Sequence, residues 1–157
     1  MKKRVGMVLA SAAALISVAT SVPVAQAAQN GPAASGARAF ADGRIHAWSD
    51  PNQRGDHCAW VGFSRDWDNP SSADPGCPGM KNRASSVANY GIPGGRDKVN
   101  LYYNEDQGGV YACIGQGDTW SDLSGGRYIF DHGWWWWEAK NTSIDNNIAS
   151  HGWTDSC

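Results

Sequence analysis

The chain has 157 residues, with 13 Lys and Arg against 15 Asp and Glu and a formal net charge of −2. That length favours one domain, and charged residues make up only 18% with no long run of one sign, which excludes a strongly basic nucleic-acid binder. Nineteen Gly and nine Trp beside few Leu suit short strands joined by tight turns and fit a helix bundle poorly.

The first residues are a basic group, Lys2, Lys3 and Arg4, then an apolar run over 5–18, then Ala25-Gln26-Ala27. The run is short for a bilayer span, and the small-x-small tripeptide is the pattern of a signal peptidase site. Residues 1–27 therefore read as a signal peptide rather than an anchor. Cleavage after Ala27 leaves 130 residues carrying 10 Lys and Arg against 15 Asp and Glu, a net charge of −5. The mature chain is expected to be secreted, extracellular and monomeric, with no membrane attachment and no nucleic-acid partner. Export makes the cysteines legible: Cys58, Cys77, Cys113 and Cys157 form an even set that reads as two disulfides with three connectivities open. Zinc is the weaker reading, because neither a C-x-x-C pair nor a closely spaced His pair is present.

Residues 28–42 are rich in Ala, Gly and Ser, lack periodicity and read as a flexible leader. Residues 43–157 then read as a single domain. No stretch after Ile45 supports a helix of more than about two turns. Short apolar or aromatic runs recur instead, at 45–48, 58–61, 99–103, 110–114 and 128–130. Between them lie Ser49-Asp50-Pro51-Asn52, Asn69-Pro70, Gly94-Gly95 and Gly108-Gly109, which is turn chemistry, and the pattern is that of an all-β sandwich.

The chain also repeats. Trp48 is followed five residues on by Gln53 and seven on by Gly55, and Tyr102 is followed in the same way by Gln107 and Gly109. Later, the segment Lys81-Asn82-Arg83-Ala84-Ser85-Ser86 aligns with Asp145-Asn146-Asn147-Ile148-Ala149-Ser150. Two copies of a roughly 50-residue unit, at about 43–92 and about 97–157, point to internal duplication, since one unit alone buries too little core. The second copy is the longer, and the Trp134–Trp137 region accounts for some of its extra residues.

An aromatic, a short polar stretch and Gly, with Asn-x-x-Ser-Ser further on, resembles the βγ-crystallin motif. That family builds one domain from two Greek keys, and the resemblance covers about Ile45–Trp153. It implies a βγ-crystallin-like sandwich with the motif glycine at 55 and 109 in a backbone folded sharply over the aromatic. The family pattern has a second aromatic where Gln53 and Gln107 stand, a departure in both copies. Within the fold, the stretch from Arg54 to Gly91 looks most like exported actinobacterial proteins grouped with a secreted metalloproteinase inhibitor. This resemblance implies a non-catalytic inhibitor of an extracellular metalloprotease, acting through a rigid substrate-like loop. Fold alone does not fix function, so two other readings are kept: a Ca²⁺-binding structural or stress protein, and a toxin-like or glycan- or surface-binding module.

The resemblance also implies where Ca²⁺ would sit. One site would draw on Asp145, Asn147 and Ser85, hard oxygen ligands with one carboxylate, and would be weak. The other would pair Lys81 with Ala149, a cation and a methyl where oxygen is needed, so one weak ion is the most expected and no cofactor is required. For the disulfides we favour Cys58–Cys77 and Cys113–Cys157, one within each repeat, with a crossed pairing left open by spacing. Inhibition needs a rigid exposed loop, and a neighbouring disulfide supplies rigidity. Two segments offer one, Ala112-Cys113-Ile114-Gly115 and Tyr90-Gly91-Ile92-Pro93, with Cys113 and Ile114 named as the candidate inhibitory residues. On a strand, the run Trp134–Trp137 would point two indoles inward and two outward, and Trp135 and Trp137 are taken as a partner-binding pair. Cys–His catalysis with His46, His57, His132 or His151, and acid–base work by Asp131, His132 and Glu138, have no spacing to support them, so the protein is not read as an enzyme.

Overall fold

The computed structural model describes residues 41–68 and 77–157. The signal peptide at 1–27 and nearly all of the leader at 28–42 lie outside the described residues. Seven strands form two antiparallel sheets. The first holds β1 (Arg44–Asp50), β2 (Arg54–Trp60), β3 (Ser86–Tyr90) and β6 (Thr119–Trp120), in the order β2-β1-β3-β6. The second holds β4 (Lys98–Tyr102), β5 (Tyr111–Ile114) and β7 (Ser150–Thr154), in the order β5-β4-β7. Helical structure among the described residues amounts to two short 3₁₀ turns, Glu105–Gln107 and Ser124–Gly126.

Alternation explains most of the strands. Ile45 and Ala47 of β1, Cys58 and Trp60 of β2, Val99 and Leu101 of β4, and Ala112 and Ile114 of β5 all turn into the space between the sheets. Equivalent positions in the two halves pair alike: Ala47 stands opposite Cys58 and Val87, and Leu101 stands opposite Ala112 and His151. The register thus carries the duplication into the backbone ladder.

The two halves exchange strands. β6 belongs to the second half but pairs with β3 of the first, Val87 against Trp120. Ser64 of the first half pairs with His151 of the second, extending the smaller sheet. Each sheet is therefore completed by the other half, and the architecture is the expected sandwich of two Greek keys. Between the sheets, Trp60 and Trp67 stack at 4.6 Å, and Trp67 Nε1–H donates to His151 Nδ1 at 2.9 Å.

Two departures have physical reasons. The run 128–130 is not a strand: only Ile129 bridges, to Ser143, because the chain arrives from Gly125 and Gly126 at positive φ. β3 and β7 carry no apolar alternation because both faces are buried. Their polar members Ser86, Asn89, Ser150 and His151 are buried and satisfied by hydrogen bonds instead.

Candidate functional site

The repeated motif builds one turn twice. Gln53 N–H donates to Ser86 Oγ (3.1 Å), whose hydroxyl donates to Asp50 O (2.8 Å). Gln107 N–H donates to Ser150 Oγ (3.1 Å), whose hydroxyl donates to Asn104 O (2.6 Å). Gly55 and Gly109 both adopt positive φ, and a Cβ at Gly55 would meet the Asp50 carboxylate at 2.7 Å. The two glutamines that replace aromatics bond across the fold, Gln53 Nε2 to Tyr90 Oη (3.3 Å) and Gln107 Nε2 to His151 O (3.2 Å). The downstream loops clasp each other, with Asn82 N–H donating to Ile148 O (2.9 Å) and Asn146 N–H to Ala84 O (3.0 Å).

This clasp decides which oxygens meet. Ser85 Oγ lies 3.4 Å from Asn146 Oδ1, so Asn146 and not Asn147 is the amide beside it. Asn147 turns its NH₂ back onto Ser143 O (3.1 Å) and Asp145 O (2.9 Å). Asp145 Oδ1 is buried with no hydrogen-bond donor. In the opposite loop, Lys81 Nζ bonds Glu105 at 2.6 Å and Asp66 at 3.2 Å, with Asp68 at 3.9 Å. The Glu105 hydrogen bond, first among these, raises the Lys81 ammonium above its ordinary value. An open, polar cleft of about 530 Å³ runs beside it, lined by Lys81, Tyr103, Glu105 and Glu138.

Both favoured disulfides are formed, Cys58–Cys77 and Cys113–Cys157, so no thiol is left for nucleophilic catalysis. The candidate inhibitory pair Cys113 and Ile114 is a correction. Both lie within β5, and Ile114 is fully buried between the sheets, so it offers nothing to a protease cleft. The other segment is exposed at its isoleucine. Ile92 is 67% exposed on the loop over 91–97, which links the two repeats. Buried Asn89 braces that loop: its Oδ1 accepts from Gly91 N–H (2.9 Å) and its Nδ2 donates to Asp97 O (2.8 Å). Gln116 Nε2 donates to Gly91 O (2.9 Å), and Gly94 N–H donates to Asp97 Oδ2 (3.0 Å). The Gly94 N–H, then the Lys98 ammonium, holds the Asp97 carboxyl below its ordinary value. Val61, Ile92, Arg96 and Trp153 line a shallow groove beside the loop.

The four consecutive tryptophans also require correction. They form a tight turn, not a strand, closed by Trp137 N–H donating to Trp134 O at 3.0 Å. Gly133 enters it at φ +101, a conformation that breaks the strand expected here. All four side chains face outward: Trp134 is 57% exposed, Trp135 79%, Trp136 59% and Trp137 39%. Trp134 stacks on Trp136 at 4.9 Å, and Trp135 stands edge-on to Trp136 at 5.4 Å. Asp131 and His132 sit at the base, where His132 stacks on Tyr111 at 4.8 Å, while Glu138 lines the Lys81 cleft. One pairing is not legible in the sequence. His46 Nδ1 lies 2.9 Å from His57 Nε2, and His46 Nε2–H donates to Asp42 Oδ2 at 2.9 Å. No periodicity signals that pair, because it forms diagonally across β1 and β2.

Among the described residues, no cluster of three or more His, Cys, Asp or Glu is arranged to hold a metal. Nor is any helix there long and apolar enough to cross a membrane. Two disulfides are the chemistry of an oxidising compartment.

Two Greek keys that exchange a strand and share a twice-built Gly–Ser turn define a βγ-crystallin-like sandwich. No protein-family model matches the chain, and no curated protein does. Similar solved structures include a chain from work on the evolution of the eye-lens βγ-crystallin domain fold (16% identical, TM-score 0.48, covering 73% of this chain and 88% of that one). A βγ-crystallin from an archaeon is 14% identical, with TM-score 0.45, covering 70% of this chain and 95% of that one. A βγ-crystallin domain from Clostridium beijerinckii is 13% identical, with TM-score 0.45, covering 72% and 99%.

Proposed function

We propose that the protein is a secreted, non-catalytic inhibitor of an extracellular metalloprotease, presenting Ile92 on the 91–97 loop. The observation that carries this reading is the combination of an exposed apolar side chain with a loop braced by a buried asparagine. A loop already held in one conformation loses little entropy on entering a cleft. Thermolysin-like enzymes favour an apolar residue after the scissile bond, and Ile92 supplies one. The test is a titration of a thermolysin-like protease with purified protein. Inhibition at micromolar protein is expected, and Ile92→Asp should weaken it by about tenfold or more. Unchanged protease activity with the native chain sinks the reading.

A second reading is carried by the exposed Trp134–Trp137 turn: a module that binds a surface. Its test is loss of binding to cells or extracellular material in Trp135→Ala/Trp137→Ala. The Ca²⁺-binding structural reading rests on the donor-less buried Asp145 Oδ1 and, on the next residue, the Asn146 amide oxygen beside Ser85 Oγ. One weak ion is the most it supports, and calorimetry with no heat on Ca²⁺ addition removes it.

A further inference from the structure

We propose that the Trp134–Trp137 turn is an interfacial anchor that seats the protein on a zwitterionic bilayer rich in phosphatidylcholine; this rests on the surface-binding reading above. The first argument is shape. Four adjacent indoles on one tight turn, each at least 39% exposed, make a convex tip rather than a groove. A convex apolar tip enters a soft surface and cannot enclose a small ligand. The second argument is which parts of the rings remain free. Trp134 and Trp136 spend a face on each other, and Trp135 meets Trp136 edge-to-face. That removes much of the flat platform on which a sugar ring would lie. The edges stay available: among the described residues, none of the four indole N–H groups has an acceptor. An indole with an apolar body and a free N–H suits the boundary where acyl chains meet ester carbonyls and headgroups.

Charge then selects the lipid. Asp131 and Glu138 flank the turn, both exposed, and the Lys140 ammonium bonds Asp131 O. The rim thus carries two carboxylates against one ammonium, and the chain expected after cleavage at Ala27 carries −5. An anionic bilayer repels such a rim. Phosphatidylcholine presents a quaternary ammonium as its outermost group, which complements the carboxylates and is attracted to tryptophan faces. The base of the turn is held, so the tip is presented without prior ordering: Asn141 N–H donates to Phe130 O (2.9 Å) and Phe130 N–H to Thr142 O (3.0 Å).

The test is co-sedimentation of the full chain with vesicles of phosphatidylcholine alone, vesicles half phosphatidylglycerol, and insoluble polysaccharide. Tryptophan emission and its quenching by brominated lipid are read alongside. The expected result is binding to phosphatidylcholine vesicles with blue-shifted, quenched emission, and weaker binding to the anionic vesicles. Trp135→Ala should weaken that binding about tenfold, since partition scales with buried apolar area, while circular dichroism and melting stay unchanged. Asp131→Lys should shift preference toward the anionic vesicles. No vesicle binding, or binding indifferent to Trp135→Ala, overturns the proposal. Trp-dependent binding to polysaccharide alone overturns the lipid assignment and leaves the surface-binding reading standing; Trp-independent behaviour in every arm removes both.

Discussion

His151 should couple the stability of this fold to acid. It is fully buried, its Nδ1 accepting from Trp67 and its Nε2–H donating to Gly62 O at 2.9 Å. Burial pushes its pKa down from 6.5 to about 4. A base whose folded pKa lies below its unfolded value binds fewer protons when folded. Stability is therefore complete above pH 6.5 and is lost as pH falls from there toward about 4. The full penalty is on the order of 3 kcal/mol. His57 adds in the same direction: burial first, then the neighbouring His46, lowers its pKa, while Asp42 opposes. Denaturant midpoints across this pH range should fall steadily, and His151→Gln should flatten the dependence while lowering stability throughout. A native protein equally stable at both ends refutes the linkage. At the turn, Gly55 holds φ +78 with Ser49 and Asp50 in the space a Cβ would need, whereas Gly117 holds φ +78 beside open space. Gly117→Ala carries only backbone strain, about 1 kcal/mol, and Gly55→Ala carries steric displacement as well, so it should cost clearly more. Paired thermal melts separate the two.

At the scale of elements, legibility followed exposure of one face. β2, β4 and β5 each bury one face and β1 buries Ile45 and Ala47 on one face, so their apolar residues alternate and announce themselves. β3 and β7 bury both faces with serine, asparagine, glycine and histidine, residues that read as loop until their hydrogen-bond partners are known. The same limit applied to the site. Ser85 is legible as a candidate, but its neighbour is Asn146, because the clasp between Asn82 and Ile148 sets a register that alignment of the halves does not contain. A disulfide beside it makes Ile114 a loop candidate, yet pairing with Val99 turns it inward. On a strand the tryptophan run would alternate inward and outward, and the positive φ at Gly133 makes it a turn instead. The disulfides sit at opposite ends of this scheme, one closing 19 residues and the other 44. In the chain-entropy picture they contribute about 3 and about 4 kcal/mol. Cys113→Ser/Cys157→Ser should thus lower the unfolding free energy at least as much as Cys58→Ser/Cys77→Ser. Urea titration of the two double variants orders them.

For the whole molecule, the exchange of strands matters more than either key. The first half contributes β1, β2 and β3 to a sheet whose fourth strand, β6, comes from the second half. The second half contributes β4, β5 and β7 to a sheet extended by Ser64 of the first. Trp67 of the first half bonds His151 of the second, and the Asn82 and Asn146 loops clasp reciprocally. Neither half can satisfy these groups alone: β3 loses Trp120, His151 loses Trp67, and the faces of Trp60 and Leu101 meet water. Each half nevertheless keeps its own disulfide, so the halves can be prepared as oxidised fragments, residues 41–96 and 97–157. Each fragment alone should lack near-ultraviolet circular dichroism and give red-shifted tryptophan emission. Mixed at equal concentration, they should recover both signals in a concentration-dependent way, because the missing strand is supplied in trans. A first half that folds alone with native-like emission would show that the sheets are self-sufficient. The duplication would then be two stacked units rather than one interlocked sandwich.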